Sequence, residues 1–425
     1  MNDLYLTDTV QSGLMWYFVL LAVMNFGFAG YLFRIRKPAA AAIWCAVAAF
    51  ALMHAFAYFL HGSMILAKPV REEVDALMNP VIYTTASVVG FVLLLVFRKF
   101  FTQPQVAWAL LNISLFALGW AMTDPNFQSI VTKPDNVPIS LLIGSVAFFT
   151  WLALYRAVQN DDRMARGEPV LEKLEDEKVL VWPDLVYTEL IVMVIATFLL
   201  IVWAILLKAP LEPPATTSKA PNPSKAPWYF LGLQEMLVYF DPWMAGVVLP
   251  TMIIIGLVAL PYIDFNREGN GFYSFKKRWF AITTYMFGFL VLWVTLIVLG
   301  TFLRGPNWNF FGPFAVWDPH IVQPLNNVNV SQIFWLRMLH QPLEGMNPVV
   351  RELPGLVLIF AYLFLLPPLL ARTVLRTFFI KMGFTRFMIL VVLLQFMAAL
   401  PIKMVMRWTW NLKYVVYFPE IFFNI

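Results

Sequence analysis

The chain has 425 residues, of which 60% are hydrophobic and only 13% are charged, and its formal net charge is +5. Soluble domains are about one-quarter charged, so this composition indicates a polytopic membrane protein rather than a soluble enzyme. The single cysteine, Cys45, excludes a disulfide framework or a cysteine-ligated cluster within this chain. The sequence contains no phosphate-binding loop, hydrolase triad or zinc spacing, and nothing in it supports nucleic-acid binding.

The hydropathy pattern predicts an all-α, multi-pass fold. About ten apolar stretches are long enough to cross a bilayer, which needs about 20 residues each. An even number of crossings puts both termini on one side of the membrane. The predicted spans lie near 13–33, 41–66, 81–97, 105–122, 138–157, 186–207, 245–262, 280–303, 353–371 and 384–402.

Loop charge predicts the orientation of these spans. Basic clusters occur in every second loop, and such loops are typically cytoplasmic. The N-terminus carries Asp3 and Asp8 but no basic residue, so both termini are predicted to be periplasmic, in an inner membrane protein. The clusters are Arg34, Arg36 and Lys37; Arg98 and Lys99; Arg156, Arg163 and Arg166; Lys276, Lys277 and Arg278; and Arg372, Arg376 and Lys381.

The stretch from Leu211 to Asp264 has a distinctive order of parts. A proline-rich loop leads into the aromatic pair Trp228-Tyr229, and an apolar run closed by Pro261 follows. This order resembles the C-terminal domain of cytochrome b and subunit IV of cytochrome b6f, over roughly residues 180–305. In that family a loop ending in Pro-Glu-Trp-Tyr enters the quinol-oxidation pocket from the electropositive side of the membrane. Here Pro227 stands where the family has glutamate, and proline cannot accept a proton.

The resemblance, the charged segment after the fifth span and the long external loop together divide the chain into five parts. We predict an N-terminal five-helix membrane domain (1–159), a charged cytoplasmic linker (160–182) and a cytochrome b C-terminal-like domain (183–305). An external loop region (306–352) follows, and the chain ends with two helices and an interfacial tail (353–425).

The resemblance also implies a quinone site around the aromatic pair. The candidate quinone-binding residues are Trp228, Tyr229, Glu235 and Tyr239. Glu235 is the carboxylate nearest to Pro227, and two roles remain open for it. It either exchanges protons at the mouth of the pocket, or it is an interfacial carboxylate that faces water or an arginine.

Haem is not expected in this chain. A cytochrome b carries two histidines on each of two helices, and the spans that would correspond here, the third and the fifth, contain none. His54 and His61 share one face of the second span about 10 Å apart, which is too far for a single metal ion. They either form hydrogen bonds across a helix interface, ligate a haem together with a methionine or a partner's histidine, or serve a proton path or quinone. Glu189, one turn into the sixth span, is a further candidate for proton contact.

Three functions follow from these patterns. The first is a non-haem subunit of a respiratory or photosynthetic quinol/quinone oxidoreductase complex, which forms part of a quinone site. Its partners would be membrane lipids and subunits that carry haem b, multihaem cytochrome c or iron–sulfur centres. The second is a haem-free scaffold that has lost the quinone pocket. The third, a transporter, is disfavoured because the span interiors contain almost no charged residues.

Overall fold

The computed structural model describes residues 6–60, 65–175, 177–207, 214, 217–218, 221–266, 273–317 and 326–425. Within these ranges, nine helices are long and apolar enough to cross a membrane. The number becomes ten if the short helix Lys68–Leu77 and the helix Pro80–Val96, bent by 75° at their junction, form one span. The protein is thus an all-α polytopic membrane protein.

The first half of the chain contains nine helices. Proline occupies the first turn of several of them, where its missing N–H costs no helical hydrogen bond. The helices are α1 (Asp8–Arg34), α2 (Pro38–Phe59), α3 (Lys68–Leu77), α4 (Pro80–Val96), α5 (Arg98–Phe101), α6 (Pro104–Ala121), α7 (Pro125–Val131), α8 (Val137–Ala165) and α9 (Leu171–Leu174).

The second half contains eight α-helices, several of which continue from π-helical turns. These helices are α10 (Val186–Leu206), α11 (Trp228–Met236), α12 (Leu249–Ile263), α13 (Phe275–Met286), α14 (Val294–Phe302), α15 (Pro348–Phe360), α16 (Leu366–Arg372) and α17 (Arg376–Trp410). The π-helical turns are Val181–Leu185, Met244–Val248, Phe287–Trp293, Gln332–Met338 and Ala361–Leu365. Four short strands complete the fold: β1 (Val328–Asn329), β2 (Leu412–Tyr414), β3 (Tyr417–Phe418) and β4 (Phe423–Asn424).

Helices α1 and α2 form a close hairpin, against which α6 packs. Buried alanines on both helices, including Ala22 and Ala51, allow the backbones to approach. A buried polar pair joins α1 to α6: Asn25 Nδ2 donates to Asn112 Oδ1 at 2.6 Å, and Trp108 Nε1 donates to Asn25 Oδ1 at 3.0 Å. These bonds satisfy polar groups that would otherwise be costly in an apolar bundle.

The loops sort into two opposite sets by their contacts. In one set, Asp75 accepts from Phe314 N at 2.9 Å, and Lys225 Nζ donates to Thr301 O at 2.8 Å. In the other set, Lys99 pairs with Asp162 at 2.6 Å and Ser274 Oγ donates to Asp161 Oδ1 at 2.9 Å. Successive loops therefore alternate between the two sets, as the loops of a protein with ten membrane crossings must. The predicted orientation, with the Trp228-Tyr229 loop on the outer side, rests on loop charge and stays a prediction.

Helix α4 connects the two sets of loops even though it has only 17 residues. It packs against the long helix that runs from α13 through α14, as Phe91 and Val291 share one buried cluster. Its beginning lies near Asp75, which contacts Phe314 beyond the end of α14. Its end lies at Arg98, whose guanidinium stacks 4.2 Å above the ring of Phe275, the first residue of α13. Helix α4 and the helix that runs from α13 through α14 are therefore antiparallel and extend over the same length.

The predicted linker and tail are more ordered than their sequences suggest. Asn160 and Asp161 are buried at the end of α8, and Asn160 Nδ2 donates to Tyr273 O at 2.8 Å. The tail folds back over the helix ends: β2 pairs in parallel with β1, and β3 pairs with β4. Leu412 and Val416 of the tail are buried, which explains why a tail with scattered apolar residues adopts a fixed shape.

Candidate functional site

Helix α11 carries the aromatic pair and lies on the face shared by Asp75, Lys225 and Phe314. Its N-cap is Pro227, which has no N–H to lose there. Gln234 holds the preceding loop against the helix: Ala226 N donates to Gln234 Oε1 at 2.8 Å, and Gln234 Nε2 donates to Ser224 O at 2.8 Å. The loop and the first turn of α11 therefore form one rigid unit.

The first turn of α11 presents three aromatic rings. Tyr229 is 54% exposed and Phe230 is 50% exposed, whereas Trp228 is half-buried. The ring centroids of Trp228 and Tyr229 are 5.8 Å apart, and those of Tyr229 and Phe230 are 4.7 Å apart. This end of the helix is thus an exposed aromatic surface, suited to contact with a flat apolar ring.

The opposite side of α11 packs tightly, through two glycines, on α14 and on the π-helical turn that leads into it. A Cβ on Gly300 would lie 3.1 Å from Leu231 O, and a Cβ on Gly232 would lie 3.2 Å from the Trp293 ring. Larger side chains at either position would push the helices apart. The glycines therefore set the distance of the aromatic surface from the helix bundle.

The second half of α11 contains a buried ion pair. Arg304, just beyond α14, donates from Nε to Glu235 Oε2 at 2.8 Å and from Nη2 to Glu235 Oε1 at 2.5 Å. Tyr239 OH donates to Oε1 at 3.1 Å, and Trp308 Nε1 donates to Oε2 at 2.9 Å. The exposure of Glu235 is 0% and that of Arg304 is 6%. The guanidinium also stacks on the ring of Phe310, 3.5 Å from its centroid.

Each carboxylate oxygen of Glu235 accepts two hydrogen bonds, which uses the acceptor capacity of the group. This geometry favours the arginine-facing role of Glu235 over proton exchange at a pocket mouth. Tyr239 is fully buried, and burial raises its pKa well above the ordinary value of 10.0. The four predicted quinone-site residues thus fall into two groups. Trp228 and Tyr229 form a surface at one end of α11, and Glu235 and Tyr239 form a closed network at the other.

Lys225 is a half-buried cation two residues before Pro227. Its Nζ donates to Thr301 O in the last turn of α14, a position that favours positive charge. Burial, together with the nearby Lys133 and Arg304, lowers the pKa of Lys225 from 10.5 to about 8. The amine therefore titrates closer to neutral pH than an ordinary lysine does.

Titration of Lys225 predicts a pH-dependent contribution to stability. The folded protein releases this proton near pH 8, whereas the unfolded chain retains it until about pH 10.5. The free energy of unfolding should therefore rise, relative to that of the Lys225→Met variant, as the pH increases from 8 to 10.5. Denaturation of the two proteins across this range measures the difference. A difference that stays flat or falls would contradict this view of Lys225.

The other predicted contact residues lie away from α11. His54 is buried in α2, where Nδ1 lies 2.9 Å from Phe50 O of the same helix and the ring stacks on Phe18 at 5.0 Å. Among the described residues its ring bonds within its own helix, and its surroundings are aromatic. Glu189 is exposed near the start of α10. His61 lies outside the described residues.

Metal ligands do not cluster in the described part of the chain. Among its histidine, cysteine, aspartate and glutamate side chains, no group of three or more could hold a metal ion.

Arg304 and Trp308 were not identified from the sequence, although both bind the site's carboxylate. Glu235 and Arg304 are 69 residues apart within the predicted domain 183–305, and Trp308 belongs to the predicted external loop region that follows it. One signal was available: each is an isolated charge beside a long apolar run, and such charges usually require a partner.

Comparison with known protein families finds a match for one segment of the chain. Residues 214–316 match the family described as cytochrome b (C-terminal)/b6/petD, and this segment is about a quarter of the chain. Comparisons with curated proteins and with solved structures gave no match. The matched segment contains α11 to α14 and all four partners of the buried network, Glu235, Tyr239, Arg304 and Trp308. It overlaps the region whose resemblance the sequence suggested, and residues 214–316 are a cytochrome b-like domain within this membrane protein.

Proposed function

We propose that the chain is a non-haem integral subunit of a respiratory or photosynthetic quinol/quinone oxidoreductase complex of the cytoplasmic membrane. Its cytochrome b-like domain forms part of a quinone site. Its remaining surface anchors partner subunits that carry haem b, multihaem cytochrome c or iron–sulfur centres. The observation that supports this function is the exposed aromatic turn of α11 within the segment that matches the cytochrome b family.

The proposed roles follow the two groups of residues on α11. Trp228 and Tyr229 contact the quinone ring, because their rings are accessible and lie side by side. Glu235 and Tyr239 are positioning residues, because their polar groups are engaged with Arg304 and with each other. A quinone ring fits the aromatic surface. Since Pro227 cannot accept a proton and Glu235 is fully bonded, the proton acceptor would lie elsewhere in the complex.

The anchoring role is supported by α10. None of the apolar window of the span Val181–Leu206 is buried within this chain, although its mean hydropathy is the highest of the nine spans. A helix that is apolar on all sides requires lipid or another protein around it. Partner helices on α10 would link the redox subunits to the quinone site.

Photoaffinity labelling of the intact complex tests the quinone site. An azido-quinone should label the peptide that contains Trp228, Tyr229 and Phe230 in native membranes. The Tyr229→Ala variant should bind the probe about 2- to 10-fold more weakly, because an aromatic contact contributes about 0.5–1.5 kcal/mol. Tyr262→Ala is the matched control, since Tyr262 is 73% exposed at the far end of α12.

The control variant should bind the probe as tightly as the native protein. Label confined to other subunits, or equal binding by all three proteins, would contradict the proposed site.

A haem-free scaffold without a quinone pocket is the second candidate. It is favoured by Pro227 at the position of the family's glutamate and by the complete bonding of Glu235. Under this alternative the complex assembles around the chain, yet the probe labels no residue of α11. The same labelling experiment therefore separates the two functions.

A further inference from the structure

An apolar groove of about 660 Å³ opens between α15, the end of α17 and the π-helical turn Gln332–Met338. Its walls include Val357 of α15, Met406 and Trp410 of α17, and Trp335 of the turn. Its volume lies within the range of about 300–1,000 Å³ that is typical of small-molecule sites. Several wall residues are largely open, among them Val357, which is 57% exposed, and Trp410, which is 58% exposed.

The groove lies where two membrane spans end. Pro348–Arg372 and Arg376–Trp410 are both candidate spans, and the groove is formed by the start of the first and the end of the second. Two tryptophans, Trp335 and Trp410, line it. Tryptophan is enriched at the boundary between the hydrocarbon and the headgroups. The groove is thus open to the region where lipid chains meet lipid headgroups.

One charged side chain of the described part of the chain lines this groove, and it is a cation. Among the described residues, Arg337 belongs to the wall, and no aspartate or glutamate does. Arg337 is exposed, and within the described ranges it forms no hydrogen bond or ion pair. By contrast, Arg351 on the neighbouring helix is bound to Glu352 and Glu420. An unpaired guanidinium beside an apolar groove offers two or more donors to an anionic oxygen group.

We propose that this groove binds an anionic phospholipid of the surrounding leaflet. An acyl chain lies along the apolar walls, and the phosphate group is bound by Arg337. A neutral quinone would fill the same walls but has no anionic group for the guanidinium. The charge at the groove therefore selects a phospholipid rather than an isoprenoid quinone, and this site is distinct from the aromatic turn of α11.

Native mass spectrometry of the purified full-length protein tests the proposal. The probes are phosphatidylglycerol and phosphatidylcholine with identical acyl chains. Both lipids carry the phosphate, but the quaternary ammonium of phosphatidylcholine cancels its charge. The native protein should therefore retain phosphatidylglycerol about 5-fold more tightly, the effect of one cation near an anionic headgroup. Arg337→Gln should abolish this preference. Lys68→Gln, which removes an exposed cation from α3 on the same face, should keep it.

A second variant tests the walls of the groove. Val357→Trp fills the groove without burying a charge and should weaken the binding of both lipids. Equal binding of the two lipids by the native protein, or an unchanged preference in Arg337→Gln, would overturn the proposal. Displacement of phosphatidylglycerol by a short-chain quinone, with no effect of Arg337→Gln, would also overturn it, because the groove would then be a quinone site.

Discussion

Replacing Arg304 with methionine is expected to lower the free energy of unfolding by about 3–5 kcal/mol, the usual effect of removing one partner from a buried ion pair. Glu235 has no exposure, and two of its four hydrogen bonds come from the Arg304 guanidinium. Without Arg304 the carboxylate stays buried beside Tyr239 and Trp308 without a compensating charge. Thermal or denaturant unfolding of the purified protein in detergent measures the effect.

Two further variants separate the buried charge from a general loss of packing. The double variant Glu235→Leu with Arg304→Met removes both charges and should recover a large part of the lost stability. Lys68→Met breaks an exposed pair with Glu72, whose side chains are 78% and 66% exposed, and should cost less than about 1 kcal/mol. If Arg304→Met were as mild as Lys68→Met, Glu235 and Arg304 would not form the closed network described above.

Replacing Gly355 with alanine is expected to release the C-terminal tail. A Cβ at this position of α15 would overlap the backbone carbonyl oxygen of Val415 and lie 2.9 Å from Val416 Cγ2. Backbone atoms cannot move aside as a flexible side chain can, so β2 and β3 must shift away from α15. The expected cost is about 1–3 kcal/mol, the usual range for overpacking. Limited proteolysis should cleave the variant in the tail much faster than the native protein.

Gly30→Ala is the matched control for this prediction. Gly30 lies inside α1 with nothing within 4 Å of an added Cβ. Alanine is about 1 kcal/mol more favourable than glycine in a helix interior, so this variant should be as stable as the native protein or more so. Equal proteolysis of the tail in Gly355→Ala and Gly30→Ala would show that the tail does not depend on contact with α15.

Hydropathy predicted the membrane fold well because each span is encoded locally. A run of about 20 apolar residues specifies a spanning helix whatever its neighbours are. The third span is the marginal one, because α4 has only 17 residues and α3 bends away from it by 75°. Its amphipathic neighbour α3 carries Asp75, whose bond to Phe314 holds the junction beside the loop that follows α14.

Only half of the candidate site could be predicted, because local sequence patterns do not reveal contacts between residues that are distant in the chain. Trp228 and Tyr229 are candidates from the sequence alone because they are adjacent and part of a recognisable order of motifs. The partner of Glu235 could not be predicted, because Arg304 approaches it only after α11 has packed on α14 through Gly232 and Gly300. A carboxylate's role depends on its neighbours in space.

The tail shows the limit of local patterns most clearly. Its strands have only two or three residues each, too few for an alternating pattern to be visible. They are fixed by distant groups: Lys413 Nζ donates to Val238 O at 3.1 Å beyond α11, and Tyr414 OH donates to Asp241 Oδ1 at 3.1 Å. Burial also lowers the pKa of Lys413 from 10.5 to about 8, with a further contribution from Arg407. Tertiary contact, rather than propensity, determines this structure.

Reduced-minus-oxidised spectra of the intact complex, and of this chain isolated from it, test most directly whether the chain depends on its partners for redox chemistry. The complex purified in mild detergent should show haem or iron–sulfur signals that respond to added quinol. The isolated chain should show no b-type haem band. A haem band that stays with the isolated chain and is lost in His54→Ala would contradict the proposal that the redox centres belong to partner subunits, because the chain would then carry its own redox centre.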